Sequence, residues 1–248
     1  MLKRLFDILG SSFGLLLASP ILVPVMFLVW RQDRHSPFYI APRVGRNDRP
    51  FRMVKLRSMV IHADKSGVDS TSANDQRITK VGRFIRRYKL DELTQLWNVL
   101  VGDMSLVGPR PNVKRETDLY TPVERRLLTV KPGITDISSI VFSDEGDILK
   151  GQPDPDIAYN QLIRPGKSLL GLLYIENQSF ILDVKLCLLT AMAILSRDKA
   201  LAALQNVLAG LGASAEMRDL ASRKSPLVPR PPPGGDRIVT SRDGNPFT

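Results

Sequence analysis

Residues 8–30, ILGSSFGLLLASPILVPVMFLVW, carry no charged side chain, and this run restricts the chain more than any other feature. As a straight helix it is long enough to cross a hydrocarbon core of about 30 Å. Ser19-Pro20 interrupts its middle and Pro24 follows one turn later. Each proline removes a backbone donor and favours a bend. Cations flank both ends, Lys3 and Arg4 before the run and Arg31 and Arg34 after it. A single crossing normally leaves its positive flank on one side. A broken helix that enters and returns on the same face meets both conditions, so residues 1–34 are expected to form a re-entrant membrane anchor with both ends cytoplasmic. A straight span kinked at proline is the alternative. A cleavable signal peptide fits less well, because the run exceeds a signal h-region and no small-residue cleavage pattern follows it.

The 248 residues leave room for one sizeable domain with appendages or for two small ones. With 35 Lys+Arg against 25 Asp+Glu the formal charge is +10, which implies an anionic partner: nucleic acid, an anionic membrane surface or a phosphorylated substrate. Nothing interleaves aromatics with the basic residues as a nucleic-acid stacking platform requires, so no nucleic-acid partner is expected. The single cysteine, Cys187, lies in an apolar run and reads as a buried thiol. With His35 and His62 far apart in sequence, a zinc site is not expected.

After the anchor the pattern changes to short strands. Phe38-Tyr39-Ile40 and Phe51-Arg52-Met53-Val54 flank a turn-rich segment, residues 45–50, and read as a β-hairpin. Residues 63–76 are polar and read as a loop or mobile flap. Residues 122–128 read as a short amphipathic helix with Glu124, Arg125 and Arg126 exposed. The acid-rich residues 142–156 read as a solvated loop, with contact of one of the acids to a sugar or metal left open. Residues 157–163 and 167–196 return to helical character, and residues 181–195 suit a core or membrane-surface element. The fold class expected is α+β and mostly helical: an N-terminal re-entrant membrane helix (1–34), a small cytoplasmic catalytic domain with a short β-hairpin (35–197), a C-terminal helix (198–221) and a Pro- and Arg-rich disordered tail (222–248).

Residues 79–111, TKVGRFIRRYKLDELTQLWNVLVGDMSLVGPRP, concentrate the chemistry. Leu90, Leu93, Leu96, Trp97 and Leu100 recur at helical spacing and predict one buried face, with Asp91 and Glu92 beside it in the first turn. Arg83, Arg86, Arg87 and Lys89 precede the pair, and Arg110 follows between Pro109 and Pro111, which restrict its backbone. Paired acids at a helix start ordinarily complement the helix dipole. Together with arginines and a rigid turn they suggest phosphate chemistry with a divalent metal: arginine clamps phosphate bidentately, and a carboxylate holds Mg²⁺ or attacks phosphorus.

Across residues 1–196 the chain resembles the bacterial sugar transferases of the monotopic, polyprenyl-phosphate phosphoglycosyl transferase family. The motifs that carry the resemblance occur in the family's order: Lys3-Arg4-x-x-Asp7 before the Ser19-Pro20 anchor, Arg43-Val44-Gly45, Phe51-x-x-x-Lys55-Leu56-Arg57-Ser58-Met59, Leu90-Asp91-Glu92-Leu93, residues 98–111, and Lys131-Pro132-Gly133-Ile134-Thr135. The resemblance implies transfer of a phosphosugar from a nucleoside diphosphate sugar, expected to be a UDP-sugar, to undecaprenyl phosphate with release of UMP, as the first membrane step of polysaccharide or glycoconjugate synthesis. It implies Asp91 as nucleophile, Glu92 as its partner, both as ligands of Mg²⁺ or Mn²⁺, and Arg86, Arg110, Lys55 and Arg57 as phosphate- or substrate-binding residues. A homodimer is left open. The chain departs from the common pattern at Ser36, Ala41 and Thr94, and at residues 136–140, where sugar recognition is expected. The competing reading is a non-catalytic, membrane-tethered basic adaptor.

Overall fold

The computed structural model describes residues 2–63, 71 and 75–241, and the polar loop expected at 63–76 lies mostly outside them. Among the described residues one helix is long and apolar enough to cross a membrane, α1 (Leu2–Asp33). The interruption expected at Ser19-Pro20 does not end it: α1 runs through Pro20 and Pro24. Pro20 cannot donate to the carbonyl of Leu16, and the Ser19 hydroxyl donates to that oxygen instead, at 2.8 Å. Serine before proline thus satisfies the group that proline leaves open.

One face of α1, including Asp7, Ser11, Leu22, Val25 and Val29, is buried, while Leu9, Phe13, Leu16 and Leu17 are exposed. Both ends are fastened to the rest of the protein. Near the start, Lys3 Nζ lies 2.5 Å from Asp183 Oδ2, and Asp7 Oδ1 accepts from Ser105 Oγ and the Leu106 N–H at 2.9 Å each. At the other end Arg57 pairs with both oxygens of Asp33, at 2.5 and 2.8 Å.

The expected hairpin is present: β1 (Phe38–Val44) pairs antiparallel with β2 (Pro50–Leu56), from Phe38 opposite Leu56 to Val44 opposite Pro50. The helical segment that follows is divided into α2 (Lys80–Arg87), α3 (Leu90–Leu93) and α4 (Leu96–Val101). Leu90 and Leu96 are buried, but Trp97 is 52% exposed, which corrects the single buried face. The division explains it, because a register carried across α3 and α4 as one helix does not hold.

A parallel pair, β3 (Ser105–Val107) and β4 (Gly133–Thr135), brackets α5 (Lys114–Asp118) and a 3₁₀ turn, Glu124–Thr129. Glu124, expected to be exposed, is fully buried and holds Arg164 Nη2 at 2.5 Å. The acid-rich segment contains α7 (Glu145–Ile148) after α6 (Ile137–Val141), and α8 (Pro155–Ala158) after it, with Asp156 buried against Arg115 at 3.1 Å. Asp144, Glu145 and Asp156 are ion-paired, Asp154 caps α8, and Asp147 alone of the five is exposed, as expected for a solvated loop.

A π-helical turn, Tyr159–Ile163, leads into α9 (Arg164–Glu176), α10 (Phe180–Leu195), α11 (Arg197–Gly210) and α12 (Ala215–Ser222). Ile137, Ile140, Leu170, Tyr174, Leu186 and Leu204 join these helices in the main core. On α10, Leu182, Leu186 and Leu189 are buried in the core, while Ile181, Leu188 and Ile194 are exposed. After Ser222, in the segment expected as a disordered tail, no helix or strand occurs up to residue 241. That stretch lies against the domain, with the Pro233 carbonyl accepting from Thr121 and the Val239 carbonyl from Gln161.

Candidate active site

Asp91 and Glu92 occupy the middle of α3, a helix too short to supply much of a dipole. Their placement comes from packing. Leu90 buries its side chain with Leu22, Val25 and Val29 of α1, and Thr94 Oγ1 donates to the carbonyls of Val54 and Asp91 at 3.1 Å each. Just before α3, Lys89 has left-handed backbone geometry with φ of 52°, a conformation that costs a non-glycine residue about 1 kcal/mol. Asn98 ties α4 to the hairpin by accepting from the Val54 N–H and donating to the Arg52 carbonyl, both at 2.8 Å. The acid pair therefore sits on the face of β2 that presents Lys55.

Arg110 arrives from the loop after β3. Gly108 and Gly133 let that loop pass close to β4: a Cβ on Gly133 would lie 2.1 Å from the Gly108 nitrogen. Arg110 Nη2 then donates to Glu92 Oε1 at 3.0 Å and Nη1 to the Ile134 carbonyl at 3.0 Å.

All six residues named from the sequence line one cleft of about 1210 Å³. The structure brings Lys55, Asp91, Glu92 and Arg110 together, with Lys55 Nζ 4.0 Å from Asp91 Oδ2. Arg86 is positioned by its Nε, which donates to Ser58 Oγ at 3.0 Å. Arg57 is different: its Nη atoms hold Asp33 and its Nε donates to the Ser36 carbonyl at 2.9 Å. Its guanidinium secures the end of α1.

The two carboxyls differ electrically. Burial raises the pKa of Asp91 and Glu92 adds to the rise, against the pull of Lys55, Arg86 and Arg110. Burial also opposes ionisation of Glu92, but Arg110, Lys89 and Lys55 outweigh it and hold that carboxyl down at about 2. Burial lowers the pKa of Lys55, partly offset by Asp91. Glu92 is thus a fixed anion locked to Arg110, whereas Asp91 has an ion pair beyond hydrogen-bond reach and an environment that makes its charge costly.

Among the described residues no group of three or more His, Cys, Asp or Glu side chains converges as a metal site. Adjacent Asp91 and Glu92 fit Mg²⁺ nevertheless, because that ion uses one or two carboxylates and takes its other ligands from water and substrate phosphates. Asp136, in the segment where sugar recognition is expected, and Glu145, one of the acids of residues 142–156, also line the cleft, as do Glu116, Tyr159 and Lys167, which sequence reasoning missed. Lys167 pairs with Glu145, and Glu145 and Asp136 both act on Arg110 electrostatically. No local pattern marks Glu116, Tyr159 or Lys167; they reach the cleft through the helical packing.

Comparison with known proteins bears on this arrangement. A profile described as bacterial sugar transferase matches residues 1–197. The chain belongs to the bacterial sugar transferase family. The chain is 36% identical over 206 residues to the galactosyl transferase CpsE of Streptococcus agalactiae, covering 78% of the chain and 42% of CpsE. It is 34% identical over 214 residues to the UDP-galactose-lipid carrier transferase of Erwinia amylovora, covering 80% and 41% respectively. The chain thus spans about two fifths of the length of these two relatives. The sugar transferase EpsL of Bacillus subtilis, described as uncharacterised, is 37% identical over 195 residues, which cover 79% of the chain and 88% of EpsL.

Proposed function

We propose that this sugar transferase moves a phosphosugar from a UDP-sugar to undecaprenyl phosphate and releases UMP, through a covalent intermediate on Asp91. The observation that carries the reading is the asymmetry of the acid pair: Glu92 is bound to Arg110 at 3.0 Å, while Asp91 faces the cleft with Lys55 at 4.0 Å. The names of related proteins, among them a UDP-galactose-lipid carrier transferase, support the class of donor and acceptor.

In the first half-reaction an Asp91 oxygen bonds to the phosphorus that carries the sugar. The bond from that phosphorus to the bridging oxygen breaks, and its electron pair leaves with UMP. In the second, a phosphate oxygen of undecaprenyl phosphate attacks the same phosphorus and the Asp91 carboxylate is released. No net proton is gained or lost. Two anions must approach a third in each step, so Lys55, Arg86 and Arg110 offset the repulsion as charge builds. When bound, Mg²⁺ held by Asp91 and Glu92 would supply Lewis-acid stabilisation of the phosphoryl oxygens. Glu92 keeps Arg110 in place, and Arg57 fixes the membrane anchor beside the site.

The anchor is read as monotopic. Lys3 with Asp183 and Asp33 with Arg57 fasten both ends of α1 to the same body, which supports both ends lying on one face of the membrane. That arrangement holds the acid pair near the depth of a polyprenol phosphate.

Detergent-solubilised full chain with undecaprenyl phosphate, Mg²⁺ and a panel of UDP-sugars should release UMP from at least one donor. Loss of the nucleophile in Asp91→Asn should lower that rate by roughly 10⁴-fold or more. A variant retaining a tenth of the rate would contradict the assignment.

A further inference from the structure

The cleft that holds Arg110 is also lined by the Glu145–Lys167 pair and by Tyr159, Tyr120 and Glu116. Glu116 is 7% exposed; Asn160 acts on its carboxyl as a hydrogen-bond donor, but Oε2 has no partner among the described residues. A buried carboxylate oxygen without a donor costs on the order of 1–3 kcal/mol, more when charged, so such a group calls for an explanation. Neighbouring cations are engaged elsewhere: Arg164 binds Glu124 and Asn160, and Arg115 binds Asp156. Around Glu116 the wall is polar and aromatic. Asn112 Nδ2 donates to the Tyr120 hydroxyl at 2.8 Å, and Tyr159 stands close enough to Glu116 and Glu145 for both to act on its phenol.

The geometry points to a sugar subsite: we infer that Glu116 Oε2 accepts a hydrogen bond from a hydroxyl of the donor's sugar ring, between the Tyr120 and Tyr159 side, and thereby selects the sugar. The inference rests on the phosphosugar-transfer reading for its ligand. Three observations favour a sugar. A ring hydroxyl supplies the donor that the orphan oxygen lacks. Lys55, Arg86 and Arg110 line the same cleft but are not among the charges that act on Glu116, as suits a sugar site next to a phosphate site. Burial raises the pKa of Glu116, so the site disfavours a bare anion and gains when a donor reaches it. By contrast, Asp136, in the segment where sugar recognition is expected from the sequence, is already satisfied by Ser138 and Ser139.

Glu116→Met keeps the length of the side chain and removes both acceptor oxygens, and Glu116→Asp keeps the charge and withdraws the acceptor. Dissociation constants for UDP-glucose, UDP-galactose, UDP-N-acetylgalactosamine and UDP are measured on the detergent-solubilised full chain with Mg²⁺, for the wild type and both variants. In the wild type the three sugars should differ in affinity. In both variants the differences should shrink by roughly tenfold or more, as expected when a site built to hydrogen-bond a substrate hydroxyl loses that bond, with UDP affinity unchanged. Unchanged UDP binding also reports a folded site. Discrimination that survives in the variants, or UDP affinity that falls in step with the sugars, overturns the inference. UMP release by the wild type is scored separately: turnover with unaltered discrimination removes the subsite and leaves the reaction, whereas discrimination lost in the variants without turnover removes the reaction and leaves the subsite.

Discussion

At Asp91 burial raises the carboxyl's pKa and Lys55 only partly opposes the rise, which gives this residue a stability signature of its own. A carboxyl whose pKa rises on folding resists ionisation in the folded state, so its charged form destabilises the fold. That cost is absent below the ordinary aspartate value of 3.8 and is fully present above the raised value. Asp91→Asn should therefore unfold at a higher temperature than the wild type near neutral pH, and the gap should close as pH falls below the ordinary value. Calorimetry checks this, and a variant that melts below the wild type at neutral pH contradicts it. Glu92 has the opposite sign: its pairing stabilises the fold above 4.5, and the contribution is lost as pH falls towards about 2. Asp91, Glu92, Lys55, Arg86 and Arg110 were legible through the family resemblance, whereas their local charge pattern alone reads as dipole complementation and a solvated basic surface. Glu116 and Lys167 were not legible, since nothing within a few residues of either differs from a solvated acid or lysine.

Among the elements, α1 shows most clearly what a sequence pattern leaves open. Its apolar length and flanking charges were readable, but not its continuity through two prolines, which depends on the Ser19 hydroxyl reaching the Leu16 carbonyl. The division of α2, α3 and α4 was hidden for a related reason: the apolar spacing fits one helix, while Lys89 turns the backbone and Thr94 and Asn98 bind it to the hairpin. Fastening at both ends by Lys3–Asp183 and Asp33–Arg57 leads to a topological expectation for the element. Single cysteines at residue 2 and residue 34, in a Cys187→Ser background, should both react with a membrane-impermeant reagent added from the cytoplasmic side of inverted vesicles. Labelling of one and protection of the other would show a crossing helix.

Over the whole molecule, the excess of positive charge is not a uniform coat. Arg57, Arg164 and Arg197 are committed to Asp33, Glu124 and Asp144, whereas Lys55, Arg86 and Arg110 act on the acid pair itself. This distribution suits a phosphate substrate better than a basic adaptor, and a single cleft that serves two phosphates in turn calls for a carrier between them. The intact mass of the full chain, incubated with its UDP-sugar and Mg²⁺ but without undecaprenyl phosphate, tests that carrier directly. The account predicts a species heavier by one phosphosugar, absent in Asp91→Asn and discharged when undecaprenyl phosphate is added. An unmodified mass in a protein that releases UMP only when both substrates are present would contradict it and would point to direct transfer between them.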